Sequence, residues 1–271
     1  PFAMSSHRDS VAAVPVVLGS IGIAALVAWA LGQGGAEAAG FSVIGCCALL
    51  AFLIQWIAFI PAYLRQTEHF YDLVGSLSYI TVTSFALLVT EPRSERAIVL
   101  SLLVFVWALR LGSFLFRRVR AAGSDDRFAE IKTSPSRFFV AWTLQGLWVF
   151  LTLCAALAAI TTSPASSLGL RDWLGLLLWV LGFAIEVISD RQKRVFRSQH
   201  PDRYIDTGLW AWSRHPNYFG EIVLWTGVAV IASSTFQGWQ WVGLISPVFV
   251  AFLLTRVSGI PILERRADAR W

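Results

Sequence analysis

"GLWAWSRHPNYFGE", Gly208 to Glu221, lies between two long apolar runs. Arg214, His215 and Asn217 are side chains that hold anions or polar ligands. Trp210, Trp212, Tyr218 and Phe219 are of the kind that gathers where hydrocarbon meets water, and the two tryptophans read as interface anchors. Pro216 suits the first turn of a helix, with Ser213 or Arg214 near its cap. Glu221 follows, and then the apolar run begins. The stretch reads as the border of a membrane-spanning helix carrying more polar groups than a border needs.

The rest of the chain fits that setting. Its 271 residues are 56% hydrophobic and only 14% charged, with 13 Trp, the composition of an integral membrane protein. A helix needs about 20 apolar residues to cross a bilayer core. Candidate spans are 11–32, 40–64, 70–90, 97–116, 138–160, 168–188, 217–234 and 238–257. That makes eight, or seven if one is short or re-entrant. The expected fold is an all-α polytopic transmembrane bundle, one domain over 1–271, without solenoid period or low-complexity linker. Pro1–Ala3, ahead of Met4, read as an added leader outside the fold. The run from Val11 to Leu31 exceeds a signal-peptide core of roughly 7–15 residues, so it reads as a retained span. Cys46, Cys47 and Cys154 lie in apolar runs without zinc spacing, and the four His do not cluster; no metal is expected.

Charge sets the expected orientation. The N-terminal segment, the even-numbered loops and the C-terminal tail hold 18 of the 22 Lys and Arg, six of them in 117–137 and six in 189–216. The other side has Arg93, Arg96 and Arg171, and Arg110 falls inside a span. The positive-inside rule then places both termini in the cytosol, in a bacterial inner membrane. The positive charge belongs to a membrane face and to anionic headgroups, so nucleic acid is not an expected partner.

Two polar constellations remain. In "EVISDRQKRVFRSQHPDRY" (186–204), Glu186, Ser189, Asp190, Lys193, Arg194 and Arg197 recur at three and four residues, on one face of a helix that continues the sixth span. Spacing alone also suits a solvated helix end with pairs such as Asp190 and Arg194. In the opening stretch, the helix start at Pro216 offers free N–H groups and a positive dipole end, a seat for phosphate beside Arg203 and Arg214. Asp72, Tyr79, Arg110, Gln145 and Glu221 add polar groups within spans. Burying a charged one costs roughly 2.5–3.5 kcal/mol, so together they imply a polar pocket.

These residues resemble a known family. "DTGLWAWSRHPNYFGEIVLW" (206–225) is similar to the C-terminal half of membrane steroid 5-alpha-reductases, a group related to sterol reductases and isoprenylcysteine carboxyl methyltransferases. "LQGLW" (144–148) and "SDRQKRVFR" (189–197) resemble further elements of that half, which corresponds to 138–271 here. "FYDLVGSLSY" (70–79), "WALRLGSFLFRR" (107–118) and "SGIPILERRADARW" (258–271) look most like its bacterial branch. The resemblance implies NADPH-dependent reduction of the double bond of 3-oxo-Δ4 steroids, with NADPH entering from the cytosol; a monomer is expected. Carried over by motif, the cofactor contacts would be Glu186, Ser189, Asp190, Arg194, Arg197, Arg203, Asn217, Tyr218, Arg256 and Glu264. The family's catalytic glutamate and tyrosine fall at Tyr71–Asp72 and at Trp107. An indole gives up no acidic proton, so Tyr79, on the face of Asp72, is the expected substitute, with Tyr71 behind it. Trp107, Arg110, Gln145 and Glu221 would face the steroid or another hydrophobic enone. Loops 117–137 and 189–216 would cover the cofactor, with "DDRF" (125–128) as a lid. Two other readings stay open: an S-adenosylmethionine-dependent methyltransferase of isoprenylcysteine type, and a non-catalytic lipid-binding or transport protein.

Overall fold

The computed structural model describes residues 2–122, 128–162, 167–200, 202–260 and 264. Eight helices follow in order: α1 Phe2–Leu31, α2 Val43–Leu64, α3 Tyr71–Val89, α4 Glu95–Ala122, α5 Pro135–Ile160, α6 Leu170–Gln199, α7 Pro216–Ala232 and α8 Ile245–Phe252. Among the described residues, seven helical segments are long and apolar enough to cross a bilayer. They include α1 to α6 and the stretch Gly238–Val257. The eighth helix, α7, has 17 residues. The chain is thus an all-α polytopic bundle.

The central helix is α5. Some 89% of its apolar window is buried, against 22% to 39% for the others, which keep a greasy face outward. A run with alanine, leucine and phenylalanine on every side suits that position, because no face needs water. Its Gly146 lets α2 approach: a Cβ there would meet the Phe52 Cα at 3.2 Å.

Two expected spans differ. The span placed at 40–64 begins only at Val43, because 37–42 form a ribbon, β1 Glu37–Ala38 against β2 Phe41–Ser42. Ala39 and Gly40, at φ 50° and 80°, make the tight two-residue turn that a hairpin requires and a helix forbids. Ser42 Oγ then accepts from the Gly45 N–H and caps α2. The span placed at 238–257 is three pieces: a 3-10 turn Gly238–Leu244, α8, and a π turn Leu253–Val257. The sixth span keeps its helix to Gln199, as the 186–204 spacing implied. Its 30 residues are roughly 45 Å long, beyond the ~30 Å of a bilayer core.

Helix α7 runs antiparallel along α6 on a seam of glycines. Gly175 faces Gly227 and Gly182 faces Gly220. A Cβ on Gly182 would sit 2.5 Å from the Gly220 carbonyl oxygen, and one on Gly227 would sit 2.5 Å from that of Gly175. The two backbones therefore touch, as small residues permit where lipid removes the hydrophobic drive for helix pairing. At both positions the obstacle is backbone, which cannot swing away. Gly182→Ala is expected to destabilise the protein by about 1–3 kcal/mol. Gly19→Ala in α1, whose Cβ meets nothing within 4 Å, is expected to be neutral or slightly stabilising. Thermal melting of the two variants in the same detergent compares them directly.

Candidate functional site

Helices α4 and α6 run parallel and are joined by two ion pairs. At one end, Arg96 Nε reaches Asp172 Oδ1 at 2.7 Å and Nη2 reaches Oδ2 at 2.9 Å. Arg96 also donates to the Ser167 carbonyl, and Asp172 accepts from the Gly169 N–H. Arg96 was placed in a loop from sequence; it is 2% exposed. At the other end, where the Arg-rich loops gather, Arg110 Nη1 engages Glu186 Oε1 and Nη2 engages Asp190 Oδ2. These side chains are only 17%, 3% and 11% exposed. The face read from 186–197 is thus split: Asp190 pairs across to α4, not with Arg194 on its own helix, and Arg194 and Arg197 lie exposed beyond it.

Helix α7 brings a third carboxyl. Asn217, Glu221 and Trp225 recur every fourth residue, so they share a stripe. Glu221 acts electrostatically on Glu186, Asp190, Arg110 and Tyr79. Trp225 meets Trp107 of α4 edge-on at 4.9 Å and Tyr79 of α3 at 6.3 Å; Tyr79 meets Trp107 at 5.0 Å. Thr152 of α5 lies beside the Tyr79 hydroxyl. Several buried polar atoms around this junction have no hydrogen-bond partner among the described residues: Glu186 Oε2, Asn217 Oδ1, Gln145 Oε1 and the indole N–H groups of Trp107 and Trp225.

The loop before α7 is fastened to α6. The Leu209 N–H donates to Gln192 Oε1 at 3.0 Å, and the Trp210 indole donates to the Ser189 carbonyl at 3.0 Å. Lys193 Nζ lies 4.5 Å over the Trp210 ring. Gly208, at φ +62°, lies against Gln192, where a side chain would not fit. Trp210 is therefore a buried fastener (8% exposed) and not an interface anchor, whereas Trp212 is 91% exposed. Pro216 opens α7 as expected; His215 is the cap residue, and Ser213, just before it, accepts from the His215 N–H through its hydroxyl. His215 stacks on Tyr218, and Glu264 reaches both Arg214 (3.3 Å) and His215 (3.6 Å). Burial holds the His215 imidazole below its ordinary range, with the Glu264 contact opposing.

The structure thus brings together Glu186, Asp190, Arg110, Glu221, Asn217, Tyr79 and Trp107, with Tyr218 and Glu264 at the rim. Others stand apart. Ser189 spends its hydroxyl on the Ile185 carbonyl and faces Trp210. Tyr71 donates to the Ala141 carbonyl and packs with Phe128 and Trp142 in a separate aromatic cluster. Asp72 lies 3.8 Å from Arg118 at the start of α3, two turns from Tyr79, with Gln145 packed on Gly75 between them. Arg203 and Arg256 are exposed. Of "DDRF", Asp125 to Arg127 lie outside the described residues. A cavity of about 200 Å³ beside His69, Phe116, Val119 and Arg120, and an open cleft of about 450 Å³ beside Arg96, Arg171 and Ser234, lie away from the Arg110 cluster. Sequence reasoning missed the Arg96–Asp172 pair, Trp225 and the fastener Gln192, and it gave Lys193 no contact with Trp210. One signal was present: Arg96 to Arg110 and Asp172 to Glu186 are both 14 residues.

These features define a polytopic membrane protein with buried charge at its basic end. A family model described as "Protein of unknown function (DUF1295)" matches residues 58–271, and the chain belongs to that family. An uncharacterised protein of Schizosaccharomyces pombe is 22% identical over 187 residues, covering 56% of this chain and 54% of that protein. The 3-oxo-5-alpha-steroid 4-dehydrogenase 1 of Bos taurus is 38% identical over 77 residues, covering 25% of this chain and 30% of that one. The chain thus spans about half the length of the first relative and under a third of the second. No solved structure matches.

Removing Arg110 strands buried carboxylates. Arg110→Met is expected to cost about 3–5 kcal/mol, the range for breaking a buried pair. Arg110→Lys is expected to recover only part of it, since one ammonium does not fork to Glu186 and Asp190 together. Melting temperatures of both variants check this. The His215 sign is also fixed. Its depressed value means stability is full above the ordinary imidazole value of about 6.5 and falls as pH drops through the lower folded one. His215→Gln is expected to flatten that acid-side loss in a melting series across pH.

Proposed function

We propose that this chain is an NADPH-dependent reductase of a carbon–carbon double bond conjugated to a ketone, in a 3-oxo-Δ4 steroid or similar flat apolar enone. It works as a monomer in the bacterial inner membrane, taking NADPH from the cytosol and its substrate from the lipid. The observation that carries this reading is the Arg110 cluster: buried charge with spare acceptors, at the basic end of an apolar bundle. The partial likeness to a steroid dehydrogenase supports it.

The residues fit the cofactor. Glu186 Oε2 and Asn217 Oδ1 are buried acceptors without partners among the described residues, suited to the carboxamide and hydroxyl donors of a nicotinamide riboside. Exposed Arg194, Arg197, Arg203 and Arg214 supply charge for phosphates at the same end. Tyr218, Arg256 and Glu264 would close the site from the C-terminal side, and Ser189 would act through Trp210. When bound, NADPH supplies a hydride. The protein supplies an acid for the ketone at Tyr79 and an indole donor at Trp107. Gln145 and the aromatic wall shape a chamber that keeps water out.

Saturating NADPH is expected to raise the melting temperature of the purified chain, by about 2.7 kcal/mol of stability at a hundredfold excess over Kd. Asn217→Ala is expected to weaken NADPH binding about tenfold, the worth of one lost hydrogen bond. Stabilisation by S-adenosylmethionine in place of NADPH would turn the assignment to methyl transfer; stabilisation by neither would point to a non-catalytic protein.

A further inference from the structure

We infer that Glu221 is the proton reservoir of this site and refills Tyr79 after each turnover. The inference rests on the reductase reading. It assigns a role that the motifs do not, since they lead to Asp72 as the partner of Tyr79.

Three placements carry it. First, the Arg110 guanidinium engages two carboxyls, Glu186 and Asp190, while a third, Glu221, stands in the same field. With one guanidinium, and Lys193 beside Asp190, for three carboxyls, the cluster has room for a proton, and Glu221 is the carboxyl that the guanidinium does not fork to. Second, Glu221 is the carboxyl that α7 carries on its Tyr79 side. Trp225, one turn on along the same stripe, packs on the Tyr79 ring. Asp72 instead lies two turns away, beside Arg118. Third, a path leads outward: Glu186 at 3%, Asp190 at 11% and Arg110 at 17% side-chain exposure step from the interior toward the basic end.

The groups facing Glu221 are Tyr79 from α3, Arg110 from α4, and Glu186 and Asp190 from α6. Thr152 of α5, beside Tyr79, is uncharged, and α8 carries no titratable residue. The chemistry balances. Bound NADPH would supply the hydride for the new C–H bond at the β-carbon, with the π electrons of the alkene passing to the ketone oxygen. The Tyr79 O–H bond breaks and its proton goes to that oxygen, giving an enol that tautomerises to the saturated ketone. The Glu221 carboxyl returns a proton to the tyrosinate and regains one from the cytosol by way of Asp190. The sum is enone plus NADPH plus one proton, giving saturated ketone and NADP⁺.

The experiment uses the purified full chain with NADPH and a 3-oxo-Δ4 steroid, comparing Glu221→Gln, Glu221→Asp and Glu186→Gln. Glu221→Gln is expected to lower kcat on the order of 100-fold, as loss of a general acid does. Its NADPH affinity and melting temperature are expected to stay near those of the parent. Glu221→Asp is expected to restore part of kcat with a shifted pH profile. Infrared spectra of the protein without NADPH add a readout independent of turnover: a protonated-carboxyl band that Glu221→Gln removes and Glu186→Gln retains. Full kcat in Glu221→Gln beside an active parent overturns the relay alone. So does a kcat loss that follows weakened NADPH binding, or a band that Glu186→Gln removes. An inactive parent overturns the reductase reading and the relay with it.

Discussion

The basic end of this bundle is organised by one guanidinium. Arg110 projects from the middle of α4 into an apolar interior, where an unpaired cation is costly. It stays because α6 offers Glu186 and Asp190 one turn apart, the spacing a guanidinium fork matches. That match ties the two helices together and leaves Glu186 Oε2 unspent. The unspent atom sets this cluster apart from a fully satisfied ion pair. The Arg96–Asp172 pair at the opposite end is the contrast: both Asp172 oxygens are used, by Arg96 and by the Gly169 N–H.

Geometry around Arg110 depends on how closely α7 lies against α6. The glycine seam removes the side-chain layer between the two helices, so Glu221 and Asn217 reach the cluster that α6 presents. The loop between these helices would otherwise be free to wander. Gln192 and the Ser189 carbonyl hold it instead, through Leu209 and Trp210. Backbone contact, fastener and ion pair thus act in series. The first sets the distance, the second sets where α7 starts, and the third sets where the buried charge lies.

Much of this was legible in the sequence, and the reason is chemical. A bilayer demands long apolar runs, so spans show up as such, and α5, apolar all round, showed only as one more span until its neighbours were known. The 186–197 periodicity revealed a charged helix face, but not that Asp190 would turn to α4. That preference depends on a residue 80 positions away. Arg96 read as a loop charge for the same reason, its partner lying 76 residues on. Ser189 and Tyr71 were chosen by motif, and a motif does not say where a hydroxyl points. The break of 238–257 into three helical pieces leaves no trace in hydropathy, which counts apolar atoms and not hydrogen bonds. The ribbon at 37–42 did have a trace, Ala39–Gly40, too short to register beside a long apolar run.

The equal spacing of the two α4–α6 pairs has a consequence of its own. Arg96 and Arg110 meet partners at the same offset of 76 residues. The helices are therefore stapled at two points roughly 21 Å apart, like a ladder with only its end rungs. A single residue gained or lost between the rungs on one rail would turn the far partner by about 100° and strand it. Length change in the family can thus be accommodated beyond the rungs, in the loops and helix ends, while the intervals 96–110 and 172–186 behave as a fixed ruler.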